Sequence, residues 1–175
     1  MFSWIKKIFN QKIVYNSKTI NIQDYQFLIR QAKRSDASLM VKIEKLVYNG
    51  LVPWNEYAFI YEMRNSNGGL YLVAEDENQH VVAFIGSAFI NDKELHITNI
   101  AVLPKIQRLT LGSFLIDEVI NFARDRQAKS VTLELRESNK SAMKLYFRKN
   151  FEIVSETQGY YDTNHEDAIN MELIL

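Results

Sequence analysis

The chain contains no cysteine among its 175 residues, which excludes disulfides, thiolate metal sites and a cysteine nucleophile. A cysteine-free chain fits a reducing compartment, and a cytoplasmic location is expected. Proline and glycine are also scarce, at two and six, and no stretch rich in either divides the sequence. With 47% hydrophobic residues, this predicts one well-filled domain. Charge of one sign is missing too, because 21 Lys and Arg balance 21 Asp and Glu. A neutral chain exerts no long-range pull on nucleic acid, so no direct nucleic-acid partner is expected. His80, His96 and His165 lie far apart without the spacing of paired ligands, and no metal site is expected.

What is present begins with Met1 to Gln11 (MFSWIKKIFNQ), where Phe2, Ile5 and Phe9 fall near one helical face. It is far too short for the about 20 apolar residues of a bilayer span, and its lysines sit inside the apolar stretch rather than before it, unlike a secretory signal. Two readings stay open: a helix packed on its own domain or a partner subunit, or a basic, aromatic segment lying on an anionic membrane. Packing is preferred, since membrane attachment normally needs a second anchor. Lys12 to Ile22 alternates around Asn16 and Ser17, which predicts a small hairpin. Residues 1–25 then form an N-terminal extension to a main domain over 26–175.

Beyond Tyr25 strands and helices alternate. The pattern predicts strands over Phe27 to Ala32, Leu70 to Ala74, Val81 to Ile90, Leu95 to Val102, Val131 to Leu135, Phe151 to Thr157 and Ala168 to Leu175. Helices are predicted from a cap at Asp36 to Tyr48, from Pro53 or Trp54 through Asn55 and Glu56 to the Asn65 to Gly69 turn, over Gly112 to Gln127, and over Asn139 to Lys149. Gly86 inside a strand predicts a bulge or a close backbone approach. The fold class is α/β in layers.

Two blocks carry chemistry. In Asn99 to Ser113 (NIAVLPKIQRLTLGS) a strand ending at Ile100, Ala101 and Val102 turns into a helix starting near Leu111. A strand edge pairs with ligand amides, and a helix start favours an anion. Coenzyme A has both groups: its pantetheine arm suits the edge and its pyrophosphate suits Gln107 to Ser113. An ordinary strand, loop and helix would look similar at this point. In Val131 to Phe151 (VTLELRESNKSAMKLYFRKNF) Glu134 shares a strand face with Thr132, Asn139 either caps a helix or bonds a ligand amide, and Tyr146 lies two turns farther on the same face.

Those blocks, with the tail GYYDTNHEDAINMEL, resemble the GNAT superfamily of acetyl-CoA-dependent N-acetyltransferases over about Phe27 to Leu175, and most closely its bacterial ribosomal-protein-alanine members. The resemblance implies a GNAT fold: a mixed, largely antiparallel sheet flanked by helices, with a splayed strand pair for the coenzyme. It assigns Ile100, Ala101, Val102, Gln107, Arg108, Leu109, Thr110, Leu111, Gly112, Ser113 and Asn139 to acetyl-CoA, Glu134 to the general base and Tyr146 to the general acid. Trp54, in the similar segment LVPWNEY, with Tyr160 and Tyr161 beside the Asp162 to Asp167 loop, would line the acceptor groove. The tyrosine pair read by itself also fits simple packing on the sheet.

The family's phosphate loop usually reads Gln/Arg-x-x-Gly-x-Gly/Ala, and here Thr110 replaces its first glycine, narrowing the approach of backbone to phosphate. Asn150 stands where a glycine usually precedes the Phe, and Asn tolerates a left-handed helix end. The implied reaction is acetylation of a protein N-terminus, a ribosomal-protein alanine in particular. A small-amine acetyltransferase, or a low-turnover acyl-CoA-binding regulatory module, would keep the same fold.

Overall fold

The computed structural model describes residues 14–48, 50, 53–161 and 164–175. The helix expected over Met1 to Gln11 lies outside these residues. In chain order the elements are β1 (Lys18–Ile22), β2 (Tyr25–Gln31), α1 (Ala37–Val47), α2 (Glu56–Asn65), β3 (Tyr71–Glu75), β4 (Val81–Asn91), β5 (Glu94–Val102), α3 (Leu111–Asp125), β6 (Ser130–Arg136), α4 (Lys140–Arg148), β7 (Glu152–Tyr161) and β8 (Glu166–Ile174). The strands form one sheet in the order β1-β2-β3-β4-β5-β6-β8-β7, in which only β5 and β6 pair in parallel.

Each face of the sheet is covered by helices whose apolar spacing demands it. Leu111, Leu115, Ile116, Val119, Ile120 and Ala123 of α3 are buried over one face, against Ile85, Leu95, Ile97 and Leu133. On the other face Ala37, Met40 and Ile43 of α1 and Phe59 of α2 pack on Tyr71, Val73, Phe84 and Ala101. Phe59 meets Phe84 edge-on at 5.4 Å. Each such large side chain contributes about 1.5–3 kcal/mol by leaving water. Among the described residues no helix is long and apolar enough to cross a membrane.

Gly86 does both things expected of it. The β4–β5 register shifts between Gly86 and Ser87, so Thr98 is the extra residue of a bulge. A Cβ on Gly86 would come within 2.2 Å of Tyr71 Cε1 and 2.6 Å of Asn99 Oδ1, so only glycine lets these side chains lie there.

Several boundaries depart from expectation. Asn16 and Ser17 make no hairpin turn; β1 instead pairs with β2 through Gln23 and Asp24, with Gln23 left-handed at φ 53°. Asp36 precedes α1 yet does not cap it. Its carboxylate accepts Lys33 N–H at 2.7 Å and binds the Arg30 guanidinium at 2.7 and 3.0 Å. Arg30 also reaches Glu75 Oε1 through Nε at 2.8 Å. Helix α2 starts at Glu56 rather than at Pro53 or Trp54, because Asn55 is its cap and accepts Ala58 N–H at 2.9 Å. Strand β7 runs on past Thr157 to include Tyr160 and Tyr161.

Candidate active site

The parallel ladder of β5 and β6 ends at the pair Ile97 and Leu133. Beyond it β5 continues to Val102 against β4, and β6 continues to Arg136 against β8. The two strands therefore part, and beyond this pair β5 and β6 no longer form a ladder with each other. This gap is the splayed strand pair. Pro104–Ile106 then make a single tight turn that leads to α3. The Gln107 amide donates to Val102 O at 3.0 Å and ties the loop to the strand end.

At the start of α3 the N–H groups of Leu111, Gly112 and Ser113 have no partner among the described residues, while Phe114 N–H takes Thr110 O at 3.0 Å. Gly112 packs beside Val102, whose Cγ2 would lie 3.4 Å from an added Cβ. A free strand edge leading to a helix N-terminus fits a ligand with two amides and a pyrophosphate. Arg108 and Thr110 are both left-handed, at φ 67° and 62°. That conformation costs a β-branched residue on the order of 1–3 kcal/mol and glycine nothing comparable. Thr110→Gly is expected to raise stability by about 0.5–1 kcal/mol after the extra flexibility of its unfolded chain is offset, read as a higher urea midpoint at unchanged slope. A lower midpoint would show that Thr110 is not strained.

The second wall of the gap carries the titratable groups. Glu134 keeps 31% of its side chain exposed, and its Oε2 lies 2.9 Å from His96 Nε2 on β5. Arg136, two residues on, stacks over the Tyr161 ring at 3.8 Å and pairs with Glu166 at 3.0 Å. The Ser138 hydroxyl and N–H hold Glu166 down at about 2, which pins the turn from β6 into α4. Asn139 caps α4 by accepting Ala142 N–H at 3.1 Å. Tyr146 of α4 is buried edge-on against Phe151 at 5.6 Å. Its hydroxyl is pushed up by burial and by the nearby Tyr48 and Tyr161, and it has no hydrogen-bond partner among the described residues. Tyr160 and Tyr161 meet edge-on at 5.1 Å, and Tyr160 is half exposed near Glu134.

The model matching this chain describes the acetyltransferase (GNAT) family and covers residues 37–151. The chain belongs to the GNAT acetyltransferase family. It is an N-acetyltransferase by that membership. A ribosomal protein bS18-alanine N-acetyltransferase of Salmonella typhimurium is 35% identical over 123 residues, covering 69% of this chain and 80% of that protein. The crystal structure of the ribosomal-protein-S18-alanine N-acetyltransferase from Escherichia coli superposes with a TM-score of 0.75 at 29% identity, covering 85% of this chain and 93% of the other. A GNAT phosphinothricin acetyltransferase from Sinorhizobium meliloti, 18% identical with a TM-score of 0.70, shares the fold over 84% of this chain and 87% of its own, and was solved in complex with acetyl-CoA. GNAT enzymes use acetyl-CoA, and the free edge and helix start of this chain fit it.

In this GNAT chain Ile100 to Val102 stand on the gap's β5 edge, Gln107 to Ser113 at the start of α3, and Glu134 where the strands part. Tyr146, Tyr161, Tyr160 and Glu134 lie within electrostatic reach of one another in sequence along that wall. Trp54 is set apart from this group: its ring tilts onto Phe59 at 5.4 Å, and its N–H donates to Glu44 Oε2 at 3.3 Å.

Two groups escaped sequence reasoning. Glu44 of α1 is 2% exposed, and burial pushes its carboxyl up to about 7 against the opposing pull of Trp54 N–H and of the Asn99 side chain. It braces the Pro-Trp segment against β5. His96 carries no spacing signal in the sequence, and the parallel pairing with Thr132 brings it to Glu134.

Proposed function

We propose that this GNAT enzyme transfers the acetyl group of acetyl-CoA to the N-terminal α-amine of a protein, with the alanine of a ribosomal protein as its acceptor. The observation that carries the reading is Glu134, partly exposed at the point where β5 and β6 part, with Tyr160, Tyr161 and buried Tyr146 beside it. Kinship to the Salmonella and Escherichia coli enzymes supports the acceptor class. Acetyl-CoA supplies a thioester carbonyl activated for attack. Ile100 to Val102 would hold its amides and Arg108 to Ser113 its phosphates, with Asn139 adding its side-chain N–H groups.

An α-amine has an ordinary pKa near 8, so it arrives mostly protonated at neutral pH. Glu134 takes that proton, directly or through one water. Tyr146 holds a proton at its hydroxyl for the leaving sulfur; burial keeps this phenol protonated well above the ordinary value. Tyr160 and Tyr161, at the end of β7, line the approach of an extended acceptor tail.

The test is a mass-spectrometric assay of a peptide panel with alanine, serine, methionine and acetylated N-termini, together with free amines. Acetylation of the free alanine peptide at the α-nitrogen, and none of the blocked peptide, is the expected result. Turnover of small amines alone would overturn the acceptor, and no acetyl-CoA binding at hundreds of micromolar by calorimetry would overturn the enzyme reading.

A further inference from the structure

The end of α1 carries a carboxyl that the acetyl transfer does not use. Glu44 is buried, and among the described residues no cation is paired with it. A charge taken out of water without a counter-charge is costly, so only hydrogen-bond donors can support it. Trp54 N–H donates to its Oε2 at 3.3 Å, and the Asn99 side chain supports it from β5. Just past the end of the same helix, Tyr48 lies within electrostatic reach of Glu44, Arg136, Tyr146 and Tyr161. The last turn of α1 therefore stands over both walls of the strand gap.

Counting hydrogens fixes how Asn99 is turned. Asn99 pairs opposite Gly86, whose missing Cβ leaves room for Asn99 Oδ1. The Thr98 hydroxyl donates to that oxygen at 3.3 Å. A hydroxyl has one hydrogen, so toward Tyr71 the Thr98 oxygen accepts, and the phenol donates to it at 2.9 Å. The order from Tyr71 to Thr98 to Asn99 Oδ1 turns the amide nitrogen to the other side. Nδ2 is buried and makes no hydrogen bond among the described residues, and the acceptor its side chain faces is the Glu44 carboxyl. A buried donor has to be matched, and the carboxylate is the group present to match it.

We propose that Glu44 is a positioning residue for the acceptor: holding the Pro-Trp segment through Trp54 and the strand end through Asn99, it sets the width of the passage between them by which the peptide end reaches the gap. Glu44 touches neither the thioester nor the amine. Its role rests on the proposed use of a protein N-terminus as acceptor. Ile100 to Val102 and the start of α3, proposed for the coenzyme, lie beyond Asn99 and do not depend on it.

The carboxyl also makes the passage sensitive to pH. Burial pushes Glu44 up to about 7, so it gains a proton near neutrality. A protonated acid accepts more weakly from both donors, so KM for a peptide is expected to rise as pH falls through about 7. Trp54 and Asn99 face Glu44 directly, with Tyr48 beside it and Arg136 of β6 beyond Tyr48. Tyr71 of β3 and Glu62 of α2 lie toward Thr98, and Tyr146 and Tyr161 adjoin Tyr48. Burial pushes the four tyrosines up, so they stay protonated across this range.

Steady-state kinetics with an alanine-first peptide, beside calorimetry with acetyl-CoA, tests this. Glutamine at position 44 keeps an oxygen for Trp54 N–H but turns an uncharged amide toward Asn99. Glu44→Gln is expected to raise peptide KM about tenfold, with kcat within about twofold and coenzyme affinity unchanged, and to abolish the rise in KM below neutral pH. Asn99→Ala is expected to raise KM similarly, and the double variant no further than either alone. A native KM in Glu44→Gln, additive effects in the double variant, or a rise in KM that persists in acid overturns the proposal. So does a joint loss of kcat, coenzyme affinity and urea midpoint, which marks a merely structural carboxyl. If the native protein acetylates no peptide, the acceptor reading falls and the role of Glu44 with it. Peptide turnover at native KM in Glu44→Gln leaves the acceptor standing and removes only Glu44.

Discussion

Glu134→Gln is expected to lower kcat about 10²–10⁴-fold, with KM for the acceptor peptide nearly unchanged. Glutamine keeps the length and polarity of the side chain at the mouth of the strand gap, so the fold and the His96 contact survive while the proton acceptor is lost. Tyr146→Phe tests the other end of the proton path. Phenylalanine preserves the edge-on packing against Phe151 and deletes only a hydroxyl with no partner among the described residues, so stability is expected to hold while kcat falls by a similar factor. Steady-state kinetics with a peptide acceptor decides both. Unchanged kcat in the two variants together would mean that the proton path runs elsewhere.

The largest expected effect on stability lies far from the gap. Arg30 is 13% exposed and holds two enclosed carboxylates, Asp36 at 6% and Glu75 at 15%. Arg30→Ala leaves both without their cation, an imbalance that costs about 3–5 kcal/mol. Replacing all three by apolar residues of similar volume is expected to restore much of the loss, since the penalty comes from uncompensated charge rather than from a missing bond. Burial pushes the Asp36 carboxyl up, but the Arg30 guanidinium and Lys33 N–H outweigh it and hold it below its ordinary value. Its contribution is thus present above pH about 3.9 and is lost as pH falls through the lower folded-state value. Urea midpoints measured from pH 7 to pH 3 test this: the native protein weakens in acid, while Arg30→Ala loses the part of that dependence which Asp36 supplies. A midpoint within error of the native one at pH 7 would show that the cluster is solvated.

Local signals made most of the fold legible. The 3.6-residue spacing of Leu115, Val119, Ile120 and Ala123 marked α3, and all four are buried. Alternation around Glu134 put it and Thr132 on the more open face of β6, as the burial of Val131, Leu133 and Leu135 requires. Asn150 takes the left-handed helix end at φ 64° that its residue type permits. The β1–β2 turn was missed because its left-handed residue is Gln23, which announces nothing, whereas Asn16 and Ser17 carry a turn composition without making the turn. Asp36 has the side chain of a cap, but a nearby guanidinium competes more strongly than a helix N–H does. The His96 and Glu134 contact depends on parallel register across a sequence separation of 36 from His96 to Thr132, a distance at which composition says nothing about alignment.

The four-position ladder from Glu94–Ser130 to Ile97–Leu133 also divides the molecule mechanically. Five antiparallel strands lie on one side of it and three on the other, each set continuously bonded within itself. The sheet is thus two stiff plates sharing a short seam, and the softest deformation available to it is a flexing about that seam, which widens or narrows the wedge above. A molecule seated in the wedge with bonds to both plates completes the missing rungs, so occupancy and rigidity rise together, and amide-exchange protection at Thr98 to Val102 becomes a gauge of the coenzyme rather than of the fold.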